Sequence, residues 1–444
     1  MASSLASQSL HLHNLSQLFF TRLLFGGLLM LLISCNPYRK LSKEASAVLN
    51  DTNLVSANVG ISIFDPSSSK TIYSHNSSRY FIPASNTKLY TCYAAMKYLG
   101  DSIPGVRYHI INDTTVAIAG TGDPTFLVRE FPSQPVLHFL KGFRKIVVVA
   151  RPFDDYLGNG WAWNDYRFSY MAQRGALPIY GNLVGFRLNN SGQLEVTPRT
   201  FPYRNTSQKP LPGFSISKDL RDNDFVVSVG NARTAEMPFT PTHEMVARLL
   251  ADTLKAVYEV QHNMPTSGMP NLIYSQHIDS MLKPMMHRSD NFYAEQTLLM
   301  VSDKLLGILD DSRIIDTLVK KDLRQLPQLP GWMDGSGLSR YNLFTPDDMV
   351  GLLNMMKNEF SWTRITTILP TGGEGTLSSY YRHLSGRIFA KTGTLRNNVA
   401  LSGYLVTKNN KTLIFSVMVN NHMSDVTKIR RAVEKFLTYV AENN

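Results

Sequence analysis

Cysteine is almost missing from this sequence: its 444 residues hold two, Cys35 and Cys92. A disulfide framework is therefore not expected, and a chain of this length buries a sufficient core without one. No His/Cys cluster has metal-ligand spacing, so no metal centre and no cofactor are expected. Acidic residues are scarce, with 34 Asp and Glu against 45 Lys and Arg, giving a formal charge of +11. No dense basic run gathers that excess, which argues against nucleic acid as a partner and for a diffusely cationic, solvated surface. Such a surface is attracted to membranes or to acidic cell-wall polymer. There is no internal repeat and no low-complexity tract, which excludes a solenoid. Charged residues make up 18% and hydrophobic ones 43%, an ordinary globular composition with room for two or three domains.

What is present begins at the N-terminus. Residues 22–35, "RLLFGGLLMLLISC", place a lone Arg22 before an apolar stretch that ends in Ser34 and Cys35. The stretch has signal-peptide length and falls short of a membrane-spanning helix, so residues 1–34 read as an export signal. Leu32-Ile33-Ser34-Cys35 resembles the lipobox of bacterial lipoproteins. That resemblance implies a lipidated Cys35 as the first mature residue, and an exported, periplasmic protein anchored to a membrane. Residues 35–50 read as a tether.

"NVGISIFD" (58–65) and "TIYSHN" (71–76) alternate as strands around the turn "PSSSK",. Pro83 then ends the extended run, and Leu89, Cys92, Met96 and Leu99 follow at helical spacing up to Gly100,. Cys92 falls on the apolar side of that helix and is read as packing. Residues 104–239 have a strand-and-turn texture, with "TTVAIAGTGDPTF", "KIVVVARPF" and "GWAWNDYRFSY", and read as an inserted β-rich accessory region. Helical pattern resumes near 242–257 and persists through "IDSMLKPMM", "NFYAEQTLLMVSDKLLG" and "TPDDMVGLLNMMKN". The end carries three strands, "RIFAKTGTL", "ALSGYLVT" and "TLIFSVMVN", and an amphipathic helix. Strands at both termini around a helical middle predict one antiparallel sheet built from the two chain ends, in a catalytic domain of residues 51–103 and 240–444.

Ser85 and Lys88 form Ser-x-x-Lys at the start of the first helix. Positions i and i+3 share a helix face, so Lys88 reaches the Ser85 hydroxyl. Such a pair arises by chance roughly once or twice in a chain this long, and Ser67 with Lys70 is a second one, placed in the hairpin turn. A serine nucleophile needs a base, a way to keep that base unprotonated, and donors for an oxyanion. A lysine base needs burial or a neighbouring cation to lower its pKa. Lys391, followed by Thr392, Gly393 and Thr394 in a strand, supplies such a cation, and Gly393 lets a substrate backbone lie close,. Ser289 and Asn291 form Ser-x-Asn immediately before a helix. Three motifs in this order, each in its appropriate setting, are far from accidental.

Together, "PASNTKLYT", "SDNFYAEQ", "DGSGLSRYN", "GGEGTL", "AKTGTL", "GTGDPTF" and "GWAWND" resemble the penicillin-recognising serine enzymes. In detail they are similar to the D-alanyl-D-alanine carboxypeptidase/endopeptidase family, the class C low-molecular-mass penicillin-binding proteins, from about residue 50 to the C-terminus. The resemblance implies an α+β, transpeptidase/β-lactamase-like fold, a five-stranded antiparallel sheet flanked by helices. It implies peptidoglycan peptides as substrate and β-lactams as inhibitors. By that resemblance Ser85 is the nucleophile and Lys88 its base, Ser289 and Lys391 relay a proton to the leaving amine, and the Lys391 charge helps keep Lys88 neutral. Asn291 would bind the peptide amide, Thr392 and Thr394 the terminal carboxylate, and the backbone N–H groups of Ser85 and Thr394 the oxyanion. Asp154, Asp155 or Asp165 could sense a diamino acid, and "DGSGLSR" reads either as one of the family's blocks or as a glycine-rich turn. Trp161 and Trp163 read as core or interface residues, and His287 as a polar neighbour.

Two other functions fit the same letters. A β-lactamase or esterase on this fold would need a well-placed water-activating base, and no clear Glu-x-x-x-Asn element of the familiar kind is found. A non-catalytic cell-wall-binding scaffold predicts a damaged motif, whereas all three are intact.

Overall fold

Strand β1 (Asn58–Asp65) is buried along nearly its whole length, because it becomes an interior strand covered on both faces,. It turns through residues 66–69, where Asp65 accepts hydrogen bonds from the Ser67 amide and hydroxyl, into β2 (Lys70–His75). Ser67 is thus consumed by the turn. The structure, a computed structural model, describes residues 37–263 and 270–444. The export segment 1–34 and Cys35 lie outside the described residues. The stretch expected to be a tether is instead helix α1 (Pro37–Leu49). Leu41, Ala45 and Val48 recur there at helical spacing, a signal the short polar segment hid,.

Residues 48–444 form one unit. After β2 a 3₁₀ turn (Ala84–Thr87) leads into α2 (Lys88–Tyr98), and Gly100 ends it in the left-handed conformation,. Residues Lys88 to Met96 of α2 are buried without a break. This helix is the central pillar of the core: Leu89, Cys92 and Met96 share one apolar cluster with Met281, Leu298, Leu353 and Met418.

The chain then leaves for the inserted region. A mixed five-stranded sheet, order β12-β5-β4-β3-β13, comprises β3 (Ser102–Asn112), β4 (Thr115–Gly120) and β5 (Lys145–Val149), with later strands β12 (Val257–Gln261) and β13 (Asn271–His277). Helix α3 (Pro135–Leu140) precedes β5. Two three-stranded sheets lie between, β11-β6-β7 from Leu183–Leu188, Leu194–Thr197 and Thr234–Pro238, and β8-β10-β9 from Tyr203–Asn205, Phe214–Ser217 and Phe225–Val229. The insert therefore differs from the expected 104–239: its sheet starts at Ser102 and closes at His277. Helix α4 (His243–Leu254), read as a return to the catalytic helices, packs Val246, Leu249 and Leu250 into the insert's own cluster. Amphipathic spacing states that a face is buried, not against which partner.

The remaining helices are α5 (Ile278–His287), α6 (Asn291–Leu306), α7 (Asp311–Lys321), α8 (Pro346–Glu359) and α9 (Trp362–Ile368). Strands β14 (Ile388–Leu395), β15 (Asn398–Val406) and β16 (Thr412–Asn420) follow, then α10 (Val426–Asn443). The second five-stranded sheet runs β14-β15-β16-β1-β2 and is antiparallel throughout. Asn58 pairs with Asn420, so the sheet is assembled from the two ends of the chain as the terminal strands predicted. Among the described residues no helix is long and apolar enough to cross a membrane.

Candidate active site

Ser85 sits on the 3₁₀ turn between Pro83 and α2, immediately after Ala84, whose φ of 48° puts a non-glycine residue in the left-handed region. That conformation is strained and persists only where packing enforces it. The enforcement is visible: the Ala84 carbonyl accepts the Thr87 hydroxyl at 2.9 Å, and a Cβ on Gly337 would fall 2.0 Å from that same carbonyl oxygen. The "DGSGLSR" loop is thus clamped onto the turn that presents the serine.

Lys88, one turn on, is fully buried, and its Nζ donates to Ser336 O at 2.6 Å and Asn291 Oδ1 at 2.6 Å, with Ser85 Oγ 3.1 Å away. Burial lowers its pKa to about 8, against the pull of Asp334, Glu295 and Asp290,. A neutral amine has two hydrogens and one lone pair. When the amine is neutral, with both hydrogens given to Ser336 and Asn291, its lone pair is left for the Ser85 hydroxyl,.

Ser289, also in the left-handed region at φ 62°, accepts from Lys391 Nζ at 2.9 Å, and the same ammonium donates to the Thr392 carbonyl at 2.8 Å. Lys391 is fully buried, and its pKa is pushed well below the usual lysine range by burial and then by the Lys88 charge. Burial is the main cause that lowers both lysines, and the two cations face each other across the site.

Gly393 has a different reason from the one expected. A Cβ there would lie 2.5 Å from Pro83 O and 3.1 Å from the Ser85 nitrogen, so the chain's own Ser85 turn requires the glycine. The Asn86 amide ties turn to strand by donating to Lys391 O at 2.9 Å. This contact sets the Ser85 amide beside β14, an edge strand. Thr392 donates to the Thr376 hydroxyl at 2.8 Å, and Thr394 is exposed on the same side of β14. Gly375 lies against the His287 carbonyl, 2.6 Å from where its Cβ would be, which holds the Thr376 loop beside the Ser289 segment.

Asn291 opens α6 behind the Asp290 cap; its Nδ2 donates to Tyr170 O at 2.9 Å, which orients Oδ1 toward Lys88. One Nδ2 hydrogen is left for a ligand carbonyl. Trp161 donates to Asp334 at 3.0 Å, while Trp163 is 72% exposed. Asp165 is hydrogen-bonded by Tyr170, and among the described residues Asp154 and Asp155 contribute no side-chain bond to the cluster. His287 is half-buried and its pKa is lowered by burial.

Sequence reasoning missed the supports of Lys88. Asp334 accepts from Gly337 N at 2.8 Å, Ser339 N at 2.7 Å and Asn342 Nδ2 at 2.7 Å, shaping the loop that offers the Ser336 carbonyl. Glu295 Oε1 accepts the Ser336 amide at 2.7 Å, and burial raises its pKa to about 8. Arg174 of the insert, itself buried, stands 3.7 Å from Glu295 and pairs with Asp311. One signal was available: Glu295 follows Asn291 by four on α6, hence on the same face.

A family model described as the D-Ala-D-Ala carboxypeptidase 3 (S13) family matches residues 41–213 and 263–440. The D-alanyl-D-alanine carboxypeptidase of Actinomadura sp. (strain R39) is 25% identical over 448 residues, covering 86% of this chain and 81% of the relative. Penicillin binding protein 4 (dacB) from Haemophilus influenzae superposes with a TM-score of 0.69 at 20% identity, over 89% of this chain and 98% of that one. Its structure with a β-lactam gives 0.64 at 19% identity over the same shares, 89% and 98%. Bd3459, a predatory peptidoglycan endopeptidase from Bdellovibrio bacteriovorus, gives 0.52 at 14% identity over 87% of this chain and 92% of that one.

Proposed function

The chain belongs to the D-Ala-D-Ala carboxypeptidase 3 (S13) family, and on that premise we propose that Ser85 cuts the D-Ala-D-Ala-type bond of peptidoglycan stem peptides through an acyl-enzyme. The observation that carries this reading is the Lys88 amine, buried and directed at Ser85 Oγ by two fixed acceptors. Lys88 takes the hydroxyl proton as Ser85 attacks the carbonyl. The tetrahedral oxyanion is held by the Ser85 and Thr394 amides, which Gly393 allows to lie side by side. Ser289, in contact with Lys391, passes a proton to the leaving amine, and water then releases the acyl group. Asn291 offers its remaining amide hydrogen to the peptide carbonyl, and Thr392 and Thr394 receive the terminal carboxylate. A β-lactam enters the same path and is held as the acyl-enzyme.

Both carboxypeptidase and endopeptidase cuts fall next to D-Ala, and the cluster serves either. Residues 1–34 direct export, and a lipidated Cys35 anchors the enzyme to a membrane facing the periplasm. Fluorescent penicillin labels the wild-type chain and leaves Ser85→Ala unlabelled; labelling of that variant at wild-type rate defeats the assignment. Digestion of purified muropeptides, weighing released D-Ala against released monomers, sorts the two cuts. Cys35→Ser moves the protein from the membrane to the aqueous fraction, and an unchanged distribution rejects the anchor.

A further inference from the structure

Between the last turns of α5 and the insert segment 130–133 lies an open groove of about 530 Å³, lined on one wall by Lys283, His287 and Arg288 and on the other by Glu130, Ser133 and Gln276. The insert wall is fixed in place. Gln276 Nε2 donates to Ser133 O at 2.6 Å, and Glu130 accepts a forked pair from Arg288 at 2.5 and 2.8 Å and the Tyr293 hydroxyl at 3.1 Å. Glu130 is the one acid among the lining residues, and Arg288 neutralises it. Lys283 stands one turn before His287 on the same face of α5, and among the described residues it has neither an ion pair nor a hydrogen bond. His287 Nε2 is buried and also lacks a hydrogen-bond partner. Glu374, on the loop against His287, does not line the groove. The groove therefore keeps one uncompensated ammonium group.

We propose that this groove receives the leaving strand of a cross-linked peptide, and that Lys283 holds one of its carboxylates. The inference rests on the proposed function, in which Ser289 hands a proton to the leaving amine, so the departing strand runs past Ser289 and meets the residues beside it. On one side Asn291 is tied to Tyr170 O of the insert and serves the acyl part. On the other side Arg288 and His287 line the groove. Two residues span at most about 7 Å, so the mouth of the groove lies within reach of the first residues of a leaving strand. A released D-Ala is a single residue and stops short of Lys283. A cross-linked strand continues, and stem peptides carry free carboxylates along their length. Lys283 is exposed, so its attraction is screened by salt and acts on binding, not on the chemical step.

The test compares a D-Ala-cross-linked muropeptide dimer with a D-Ala-D-Ala-ended monomer, using the wild-type chain, Lys283→Glu and Lys283→Arg. Lys283→Glu raises KM for the dimer about five- to twentyfold with kcat unchanged, and leaves the monomer within about twofold. Lys283→Arg keeps both substrates within about twofold of wild type. Added salt, at about 0.5 M, narrows the gap between wild type and Lys283→Glu on the dimer. Equal losses on both substrates, or an unchanged dimer-to-monomer ratio, overturn the role of the groove while turnover by the wild type keeps the proposed function standing. A wild-type chain that cuts the monomer alone does the same. Failure of the wild-type chain to cut either substrate overturns the proposed function and this inference with it.

Discussion

Under the proposed function, the pH dependence of acylation follows from one buried amine. An ordinary lysine, with a pKa of 10.5, is neutral in about three molecules per ten thousand at pH 7; at about 8 it is neutral in about one in ten,. Burial of Lys88 therefore supplies about a 300-fold larger population of competent base, near 3 kcal/mol,. Lys88 accepts a proton only when neutral, so the acylation rate falls tenfold per pH unit below about 8 and levels off above it,. The assay is stopped-flow acylation by a chromogenic or fluorescent penicillin from pH 5.5 to 9.5. Lys88→Arg, which cannot deprotonate, loses at least about a thousandfold. Linkage adds a second readout. The folded chain releases this proton near pH 8 and the unfolded chain near 10.5, so the Lys88 penalty on stability is full below pH 8 and disappears as pH rises to 10.5,. The stability gap between wild type and Lys88→Met must shift across that window. A flat rate profile between pH 6 and 9, or acylation of Lys88→Arg at wild-type rate, refutes the reasoning.

Gly393→Ala forces a methyl against Pro83 O, 2.5 Å away, and is expected to cost about 1–3 kcal/mol of stability and about a hundredfold in acylation; denaturant melts and penicillin kinetics read both. Arg174→Ala strands Glu295 and Asp311 in the interior and is expected to cost about 3–5 kcal/mol. Adding Asp311→Asn to it returns part of the loss, a non-additivity that urea titration resolves. The Cys92 thiol, fully buried and pushed up to about 12, stays silent to thiol reagents in the native state,. In a chain carrying Cys35→Ser, its labelling rate equals the rate of unfolding measured by circular dichroism.

The strands of the terminal sheet were legible because alternation survives at "NVGISIFD" and "TLIFSVMVN", and the motif residues because each sits where its element begins. Ser85, Lys88, Asn291, Ser289 and Lys391 meet in hydrogen-bonding pairs, with Lys88 linking α2 to α6. What stayed hidden depends on separate segments meeting in space. The Ser336 carbonyl, a backbone atom in a loop, has no letter of its own. Arg174 lies in the insert and reaches Glu295 only once that insert has folded against α6. The outer limits of the insert stayed hidden for the same reason: β12 and β13 are short, half-buried strands that declare their sheet only by whom they pair with.

The pairing of β1 with β16 also fixes when activity can begin. During synthesis Ser85 leaves the ribosome well before Lys391 and before β16, the strand that pairs with β1. Until then β1 is an apolar strand with a vacant edge, the condition in which nascent chains stick to one another. A chain cut short before Ile388 carries Ser85 and Lys88 without Lys391, and one cut short before Thr412 leaves β1 without the strand that pairs with it.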